Sequence, residues 1–268
     1  MTPDRIIEAA AVLEALRLTP THRLDRLPLA CRPQTEAEGY AVNDALQRRL
    51  SAAGYGEICG YKLGCTTPLM QQRIGLDHPT AGCIRSTMVF EGELAISHEA
   101  ARGLGCENEI CVRLGKDVPL ADDWTAERIG AYVDTVMGSI EVVEQRYVIL
   151  EETRRAHIPT VIADDFWHWG AIVSAPVPRW RDLDLANNKA QTLIDGVSQG
   201  EGIGEAALGH PLQAVAWLAN HLAARGRTLT AGMIVQTGSL VAPARPAPGQ
   251  TVICDHGALG AATLRWLA

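Results

Sequence analysis

Short stretches rich in β-branched and aromatic residues, many bounded by glycine or proline, dominate the sequence after residue 55. Their composition and length predict β-strands. We place these strands near residues 56–64, 87–96, 106–114, 139–149, 168–176, 190–197, 233–241 and 251–266. Helical periodicity and capping signals predict fewer helices, near residues 4–17, 35–53, 125–137 and 211–225.

The strands outnumber the helices and do not alternate with them one for one, which excludes a doubly wound parallel fold. The order instead predicts an α+β fold with a helical N-terminal segment, residues 1–55, and a β-rich catalytic domain, residues 56–268, acting as one functional unit. The proline-rich stretch 241–249 is predicted to be a loop, and the glycine-rich stretch 200–204 a flexible turn.

Composition restricts the partners of the chain. With 268 residues and 47% hydrophobic content, the chain is long enough to bury a sizeable core. A net charge of -7 argues against nucleic acid or an anionic membrane as the main partner, because both attract clustered lysine and arginine. The seven cysteines form no CxxC pair, and no apolar run reaches membrane-spanning length, so we expect a cytoplasmic protein with reduced thiols.

Two carboxylates lie close together on the predicted strand 106–114. Side chains alternate along a strand, so Glu107 and Glu109 share one face while Ile110 and Val112 share the other. Neighbouring carboxylates repel each other unless a cation or a proton lies between them, and oxygen ligands suit Mg²⁺ or Mn²⁺. From spacing alone, a solvated strand face with incidental acids is an equally good interpretation.

A third carboxylate, Glu141, is flanked by β-branched residues in the predicted strand 139–149. A third oxygen ligand would leave positions of an octahedral site for water and substrate, as Lewis-acid chemistry on a 2-oxo acid requires. Glu144 is the rival for this role.

Lys62 is the one charged residue in the stretch 58–67, and a glycine lies on each side of it. Desolvation would lower the pKa of this lysine, and it could then carry a proton or hold a carboxylate. The alternative is a surface lysine. Asp164, Asp165 and His168 could perform acid/base chemistry, although acidic pairs in loops usually cap turns and a histidine beside tryptophans usually packs.

The sequence resembles the 2-keto-4-pentenoate hydratase / 4-oxalocrotonate decarboxylase family of the fumarylacetoacetate hydrolase superfamily, from about Thr35 onward. The motifs that carry the resemblance are G-Y-K-L-G-C-T at 60–66, L-D-H-P-T-A-G at 76–82, E-N-E-I-C-V-R-L-G-K-D at 107–117, S-I-E-V-V-E-Q-R at 139–146, I-A-D-D at 162–165, L-G-H-P-L-Q-A-V-A-W-L-A-N at 208–220 and T-G-S-L-V-A-P at 237–243.

The resemblance implies a mixed β-roll, a homo-oligomer, and Mg²⁺ or Mn²⁺ held by Glu107, Glu109 and Glu141. It also implies that Lys62 lies at the substrate and that Ser239 is a candidate contact for the substrate carboxylate. Members of the family hydrate 2-hydroxydienoates or decarboxylate 4-oxalocrotonate in the degradation of aromatic compounds.

Two departures from the family pattern concern the substrate. Thr80 and Ala81 stand where family hydratases commonly carry an acid and an aromatic residue, so Asp77 is the remaining candidate for the catalytic acid. The family's A-D-N reads Ala-Asp-Asp at 163–165, and bulky aromatic residues follow it. Asp165 and His168 are therefore candidate substrate-binding residues in a reshaped pocket.

These observations predict a metal-dependent hydratase that adds water to a 2-hydroxydienoate or 2-oxo-enoic acid. The alternatives are a 4-oxalocrotonate-type decarboxylase, an acylpyruvate C–C hydrolase and a non-catalytic partner subunit.

Overall fold

The computed structural model describes residues 1–19, 23–148 and 154–268. Its helices are α1 (Pro3–Leu18), α2 (Glu36–Ala52), α3 (Pro68–Ile74), α4 (Ala126–Gly130), α5 (Arg154–Ala163) and α6 (Pro211–Ala223). Its strands are β1 (Ile58–Gly64), β2 (Thr80–Arg85), β3 (Val89–Glu91), β4 (Glu93–Ser97), β5 (Leu104–Leu114), β6 (Val133–Glu144), β7 (His168–Val173), β8 (Lys189–Ile194), β9 (Val197–Ile203), β10 (Ile234–Ser239), β11 (Thr251–Asp255) and β12 (Ala261–Leu267).

The long helices begin where the sequence offers a capping side chain. The Thr2 hydroxyl accepts a hydrogen bond from the backbone N–H of Arg5 at the start of α1. Thr35 caps α2 in the same way, accepting from the N–H of Glu38 at 3.3 Å. Each cap satisfies a backbone donor that has no partner inside the helix. The start predicted for α2 is therefore confirmed.

A seven-stranded mixed sheet forms the centre of the molecule, in the order β2-β1-β10-β5-β6-β7-β3. Strand β10 pairs parallel with β1 and antiparallel with β5, and β5 pairs antiparallel with β6. Because β5 and β6 are long and central, their side chains lie deep between the elements that cover the sheet.

A second sheet has the order β4-β12-β11-β8-β9. The chain passes between the sheets at Gly92, whose φ of +70° favours glycine. The single strand predicted over 87–96 is therefore two strands, β3 pairing with β7 in the first sheet and β4 with β12 in the second.

The N-terminal helices form a separate apolar cluster against the β-rich body. Leu13 of α1 and Leu46 of α2 are fully buried in it, together with Tyr147 and Ala163 from the body. This packing buries apolar area on both sides of the contact and fixes α2 beside α5. The α+β class with a helical N-terminal segment is confirmed, while the functional division at residue 55 stays a prediction.

Further predicted elements differ from the structure. The strand predicted over 251–266 is two strands, β11 and β12. The helix predicted over 125–137 ends at Gly130, and β6 begins at Val133, because Val133, Thr135 and Val136 pair with β5. The predicted flexible turn at 200–204 is mostly strand β9, where a Cβ on Gly202 would lie 2.0 Å from the Leu240 carbonyl oxygen. The strand predicted over 139–149 corresponds to β6, which ends at Glu144, and residue 149 lies outside the described residues.

Within the described ranges, no helix is long and apolar enough to cross a membrane.

Candidate metal centre and its cavity

Three carboxylates meet on one face of the central sheet. Alternation along β5 brings Glu107 and Glu109 to the same face, and the register of β5 with β6 places Glu141 directly opposite Glu107. One carboxylate oxygen from each residue lies within 4.8 Å of the other two. One oxygen of Glu109 and one of Glu141 are buried without a hydrogen-bond partner among the described residues. Hard oxygen donors at this spacing fit a divalent cation such as Mg²⁺.

The carboxylates strongly affect each other's ionisation. Burial and the nearby Glu141 carboxylate raise the pKa of Glu107 to about 7. Burial and the same neighbour raise the pKa of Glu109 well above its usual range. Burial also disfavours the charged form of Glu141, but Lys62 and His168 outweigh it and lower the pKa of that carboxyl. Such clustered acids need a cation or protons between them.

Lys62 of β1 reaches into this group of acids. Its Nζ lies 3.0 Å from Glu141 Oε1 and donates to the backbone carbonyl of Phe166 at 2.8 Å. Burial opposes the charge on Lys62, but the Glu141 and Glu107 carboxylates more than offset it and raise the pKa of the lysine. The prediction that desolvation lowers the pKa of Lys62 was therefore wrong, because it treated the lysine as having no acidic neighbours.

His168 supports Glu141 from the first residue of β7. Its Nδ1 lies 2.9 Å from Glu141 Oε1, and because an ionised carboxylate only accepts hydrogen bonds, Nδ1 carries the proton. Burial lowers the pKa of His168 despite the opposing effect of Glu141, which favours a neutral ring. Nε2 is buried without a partner among the described residues. Hydrogen bonds of this kind orient carboxylates that ligate metals.

Strand β10 contributes a backbone donor and a hydroxyl beside Glu109. The N–H of Gly238 donates to Glu109 Oε2 at 2.8 Å. Ser239 pairs with Glu109 across the β5–β10 ladder, and its hydroxyl donates to the Val241 carbonyl at 2.7 Å. The Ser239 oxygen can still accept a hydrogen bond, so a role at the substrate stays a prediction.

The carbonyl that holds Lys62 belongs to an unusual turn. Asp165, Phe166 and Trp167 have φ values of +54°, +51° and +66°, in the left-handed region that non-glycine residues rarely adopt. The turn lies against β2, where a Cβ on Gly82 would be 2.6 Å from the Asp165 carbonyl oxygen. Glycine at position 82 therefore permits this close approach.

The buried side chain of Asp165 holds this turn in place. Its carboxylate accepts hydrogen bonds from Arg17 Nη2 at 2.8 Å, from Asn43 Nδ2 at 2.8 Å, from Gln47 Nε2 at 2.8 and 3.0 Å, and from the N–H of Cys83 at 2.9 Å. Burial opposes ionisation of Asp165, but Arg17 and these donors lower the pKa of the carboxyl. These hydrogen bonds hold Asp165 as a support of the turn, and the role at the substrate stays a prediction.

The neighbouring Asp164 and the rival ligand Glu144 belong to a second buried network. Arg146 donates to Asp164 Oδ2 at 2.6 Å and to Glu144 Oε2 at 3.1 Å. Arg102 donates to Glu144 Oε1 at 2.9 Å, and Arg17 also contacts Asp164. Two arginines therefore neutralise Glu144, which leaves Glu141 as the third member of the carboxylate cluster.

The structure does not bring Asp77 to this cluster. The residue follows α3, its side chain is 97% exposed, and its carboxylate lies 3.7 Å from the ring of His78. Thr80, by contrast, is fully buried on β2 opposite Gly64, and its hydroxyl has no hydrogen-bond partner among the described residues.

A cavity of about 470 Å³ opens at Glu107. Its wall includes Trp167 of the left-handed turn, Glu144 and residues of α3 and of the loop after β10. It also includes Arg73 and Arg245, which the sequence analysis did not single out. No local pattern marks either arginine, because α3 was not predicted and the loop after β10 gave only a proline signal.

Comparison with known proteins finds relatives that match most of the chain. The chain is 30% identical over 242 residues to a 2-keto-4-pentenoate hydratase of Paraburkholderia phymatum, covering 90% of this chain and 89% of the relative. It is 27% identical over 238 residues to a 4-oxalocrotonate decarboxylase of Pseudomonas putida, covering 87% and 86% of the two chains. No protein-family model matches the chain.

Solved structures share the fold. A 4-oxalocrotonate decarboxylase from Pseudomonas putida G7, complexed with magnesium and adipate, superposes with a TM-score of 0.90 at 24% identity, covering 100% of this chain and 99% of that one. A fumarylpyruvate hydrolase from Pseudomonas aeruginosa, with Mn²⁺ and pyruvate, gives a TM-score of 0.59 at 15% identity, covering 77% and 88%. The fold of the fumarylacetoacetate hydrolase type is thus confirmed.

Proposed function

Because the chain belongs to the family of 2-keto-4-pentenoate hydratases and 4-oxalocrotonate decarboxylases, we propose that it is a divalent-metal-dependent lyase acting on a small 2-oxo acid. Its proposed reaction is the addition of water to a 2-hydroxydienoate or 2-oxo-enoic acid. The observation that carries the proposal is the meeting of three carboxylate oxygens within 4.8 Å, with Glu107 of this cluster lining a cavity.

Glu107, Glu109 and Glu141 would hold Mg²⁺ or Mn²⁺. When bound, such an ion acts as a Lewis acid toward the 2-oxo or 2-enol oxygen and the C1 carboxylate of the substrate. Two features of the chain support this ligand set. Glu109 and Glu141 each keep one buried oxygen without a partner among the described residues, and His168 and Gly238 fix the orientation of these two carboxylates.

Lys62 is the proposed proton carrier. Its ammonium group is held between Glu141 and the Phe166 carbonyl, so two of its N–H bonds have fixed acceptors and its position beside the cluster is defined. During hydration the dienol must lose its hydroxyl proton and gain a proton on carbon, and water must then add at the distal carbon. The pairing with acids keeps Lys62 protonated, which suits it to donate in these steps.

The other predicted site residues have supporting parts in this proposal. Ser239 lies beside Glu109 and is proposed to accept or donate a hydrogen bond at the substrate carboxylate. His168 is proposed to act mainly through Glu141, and Asp165 through the turn that holds Lys62. Asp77 would need to move from its exposed position to act as the catalytic acid, so we assign it no step.

Decarboxylation of 4-oxalocrotonate is the second candidate. The buried Thr80 favours it, because a neutral hydroxyl occupies the position where an acid is expected for water addition. In this reaction the bond to the departing carboxylate breaks, CO₂ leaves, and the electron pair moves through the conjugated double bond to the 2-oxo oxygen. The dienolate that results then takes up a proton.

Steady-state turnover by the purified protein distinguishes these reactions. 2-Hydroxypenta-2,4-dienoate and 4-oxalocrotonate are each supplied with Mg²⁺ and then with EDTA. Hydration predicts metal-dependent loss of dienoate absorbance without gas, whereas decarboxylation predicts metal-dependent release of CO₂ from 4-oxalocrotonate. Metal binding without turnover of either compound contradicts the enzyme proposal and indicates a non-catalytic partner subunit, and cleavage of an acylpyruvate instead indicates a C–C hydrolase.

We further propose a homo-oligomer located in the cytoplasm. The homo-oligomer rests on the resemblance to the family. The seven cysteines, none of them in a disulfide, support a reducing compartment. Light scattering of the purified protein measures the mass of the assembly, and a monomer would contradict the first part of this proposal.

A further inference from the structure

The cavity at Glu107 has an apolar wall between its charged groups. Met70 and Ile74 of α3, Val143 of β6, Trp167 and Pro243 supply this wall. A volume of about 470 Å³ accommodates a small organic acid together with bound water. An apolar wall of this kind suits a hydrocarbon chain that extends away from the carboxylate cluster.

Two arginines add positive charge to the same cavity. Arg73 lies in the last turn of α3, and Arg245 lies in the loop that follows β10. No described residue forms a hydrogen bond or a salt bridge with either guanidinium group. An arginine on an apolar wall without a partner is available to bind an anion, and its planar group matches a carboxylate.

The acids of the cavity do not cancel this charge. Glu107 interacts electrostatically with Arg245, but it belongs to the proposed metal ligands, and a bound cation would compensate its negative charge. The Glu144 carboxylate already accepts hydrogen bonds from Arg102 and Arg146. The positive charges of Arg73 and Arg245 therefore remain for a group brought by the ligand.

We propose that Arg73 and Arg245 bind a second carboxylate at the far end of the substrate, so that the chain selects dicarboxylic over monocarboxylic 2-oxo acids. This inference rests on the proposed function, because the metal site must hold the 2-oxo acid end. Both arginines are exposed at the cavity wall, so an apolar tail in the same place would gain nothing from their charge.

A binding comparison tests this selection without requiring turnover. The Mg²⁺-loaded protein is titrated in a calorimeter with 2-oxoadipate and with 2-oxohexanoate, which have the same chain length and differ only in the distal carboxylate. The variants are Arg73→Gln and Arg245→Gln, and Arg5→Gln on the exposed surface of α1 is the control for the loss of one positive charge.

We expect the Kd of the unaltered protein and of the control to be at least about 10-fold lower for 2-oxoadipate than for 2-oxohexanoate. Each cavity variant should reduce that ratio severalfold while leaving 2-oxohexanoate binding unchanged. Equal affinity of the unaltered protein for the two acids would overturn the inference and leave the proposed function intact. Failure of both acids to bind would overturn the proposed function as well.

Discussion

Replacing Asp165 with asparagine should destabilise the protein strongly and disturb Lys62 at the same time. The carboxylate accepts every hydrogen bond that it makes, from Arg17, Asn43, Gln47 and the Cys83 N–H. An asparagine keeps the shape but presents an NH₂ group to some of these donors. It also removes a negative charge from Arg17, which is buried.

The size of the effect follows from burial and strain. Removing one partner of a buried ion pair costs about 3–5 kcal/mol. The network also holds three consecutive left-handed residues, 165–167, each strained by about 1–3 kcal/mol. We therefore expect Asp165→Asn to lower the free energy of unfolding by about 3–5 kcal/mol, because the turn then has less to hold it in this conformation.

Urea unfolding followed by tryptophan fluorescence, at equal protein concentrations, measures this change. Asp182→Asn is the matched control, since Asp182 forms only an exposed pair with Arg179 and its loss should leave the midpoint unchanged. A loss below about 1 kcal/mol for Asp165→Asn would refute the role assigned to its network. If the variant folds, its kcat should fall more than its KM rises, because Phe166 no longer holds Lys62.

Two further predictions concern charge at the site. Lys62→Met should lower kcat by about 100-fold or more while Mg²⁺ still binds; unchanged kcat in a steady-state assay would remove Lys62 from the mechanism. Burial opposes ionisation of Asp165 and Glu144, but their arginine partners lower the pKa of both carboxyls below the unfolded values. The stability that they contribute is present above about pH 4 and is lost as the pH falls through the lowered values. Acid unfolding monitored by circular dichroism should therefore steepen below pH 4 and be less steep in Asp165→Asn, and identical acid profiles would contradict this.

The parts of the site that follow from local sequence pattern were predictable. Alternation along one strand gives Glu107 and Glu109 a common face, and β-branched neighbours place Glu141 on another strand. The register that sets Glu141 opposite Glu107 depends on the pairing of two strands about 30 residues apart, which the resemblance to a known family supplied. Alternation alone could not supply it, because strand pairing is a non-local property.

The buried charge networks were not predictable in the same way. Arg17 and Asp165 are 148 residues apart in sequence, and Gln47 and Asp165 are 118 apart, so no local spacing indicates either contact. The local sequence around Asp165 gives no sign that its carboxylate accepts hydrogen bonds from α1 and α2. The helix predicted over 125–137 failed for a related reason, since pairing with β5 overrides the local helical pattern after Gly130.

Titration of the purified protein with Mg²⁺ in a calorimeter tests the metal centre most directly. The test variant is Glu107→Gln with Glu109→Gln, and the control is Glu91→Gln with Glu93→Gln, a pair of exposed acids with the same spacing. We predict stoichiometric binding by the unaltered protein and the control, and no binding by the test variant, whose circular dichroism spectrum should remain native. Stoichiometric Mg²⁺ binding by the test variant would contradict the assignment of these glutamates as metal ligands.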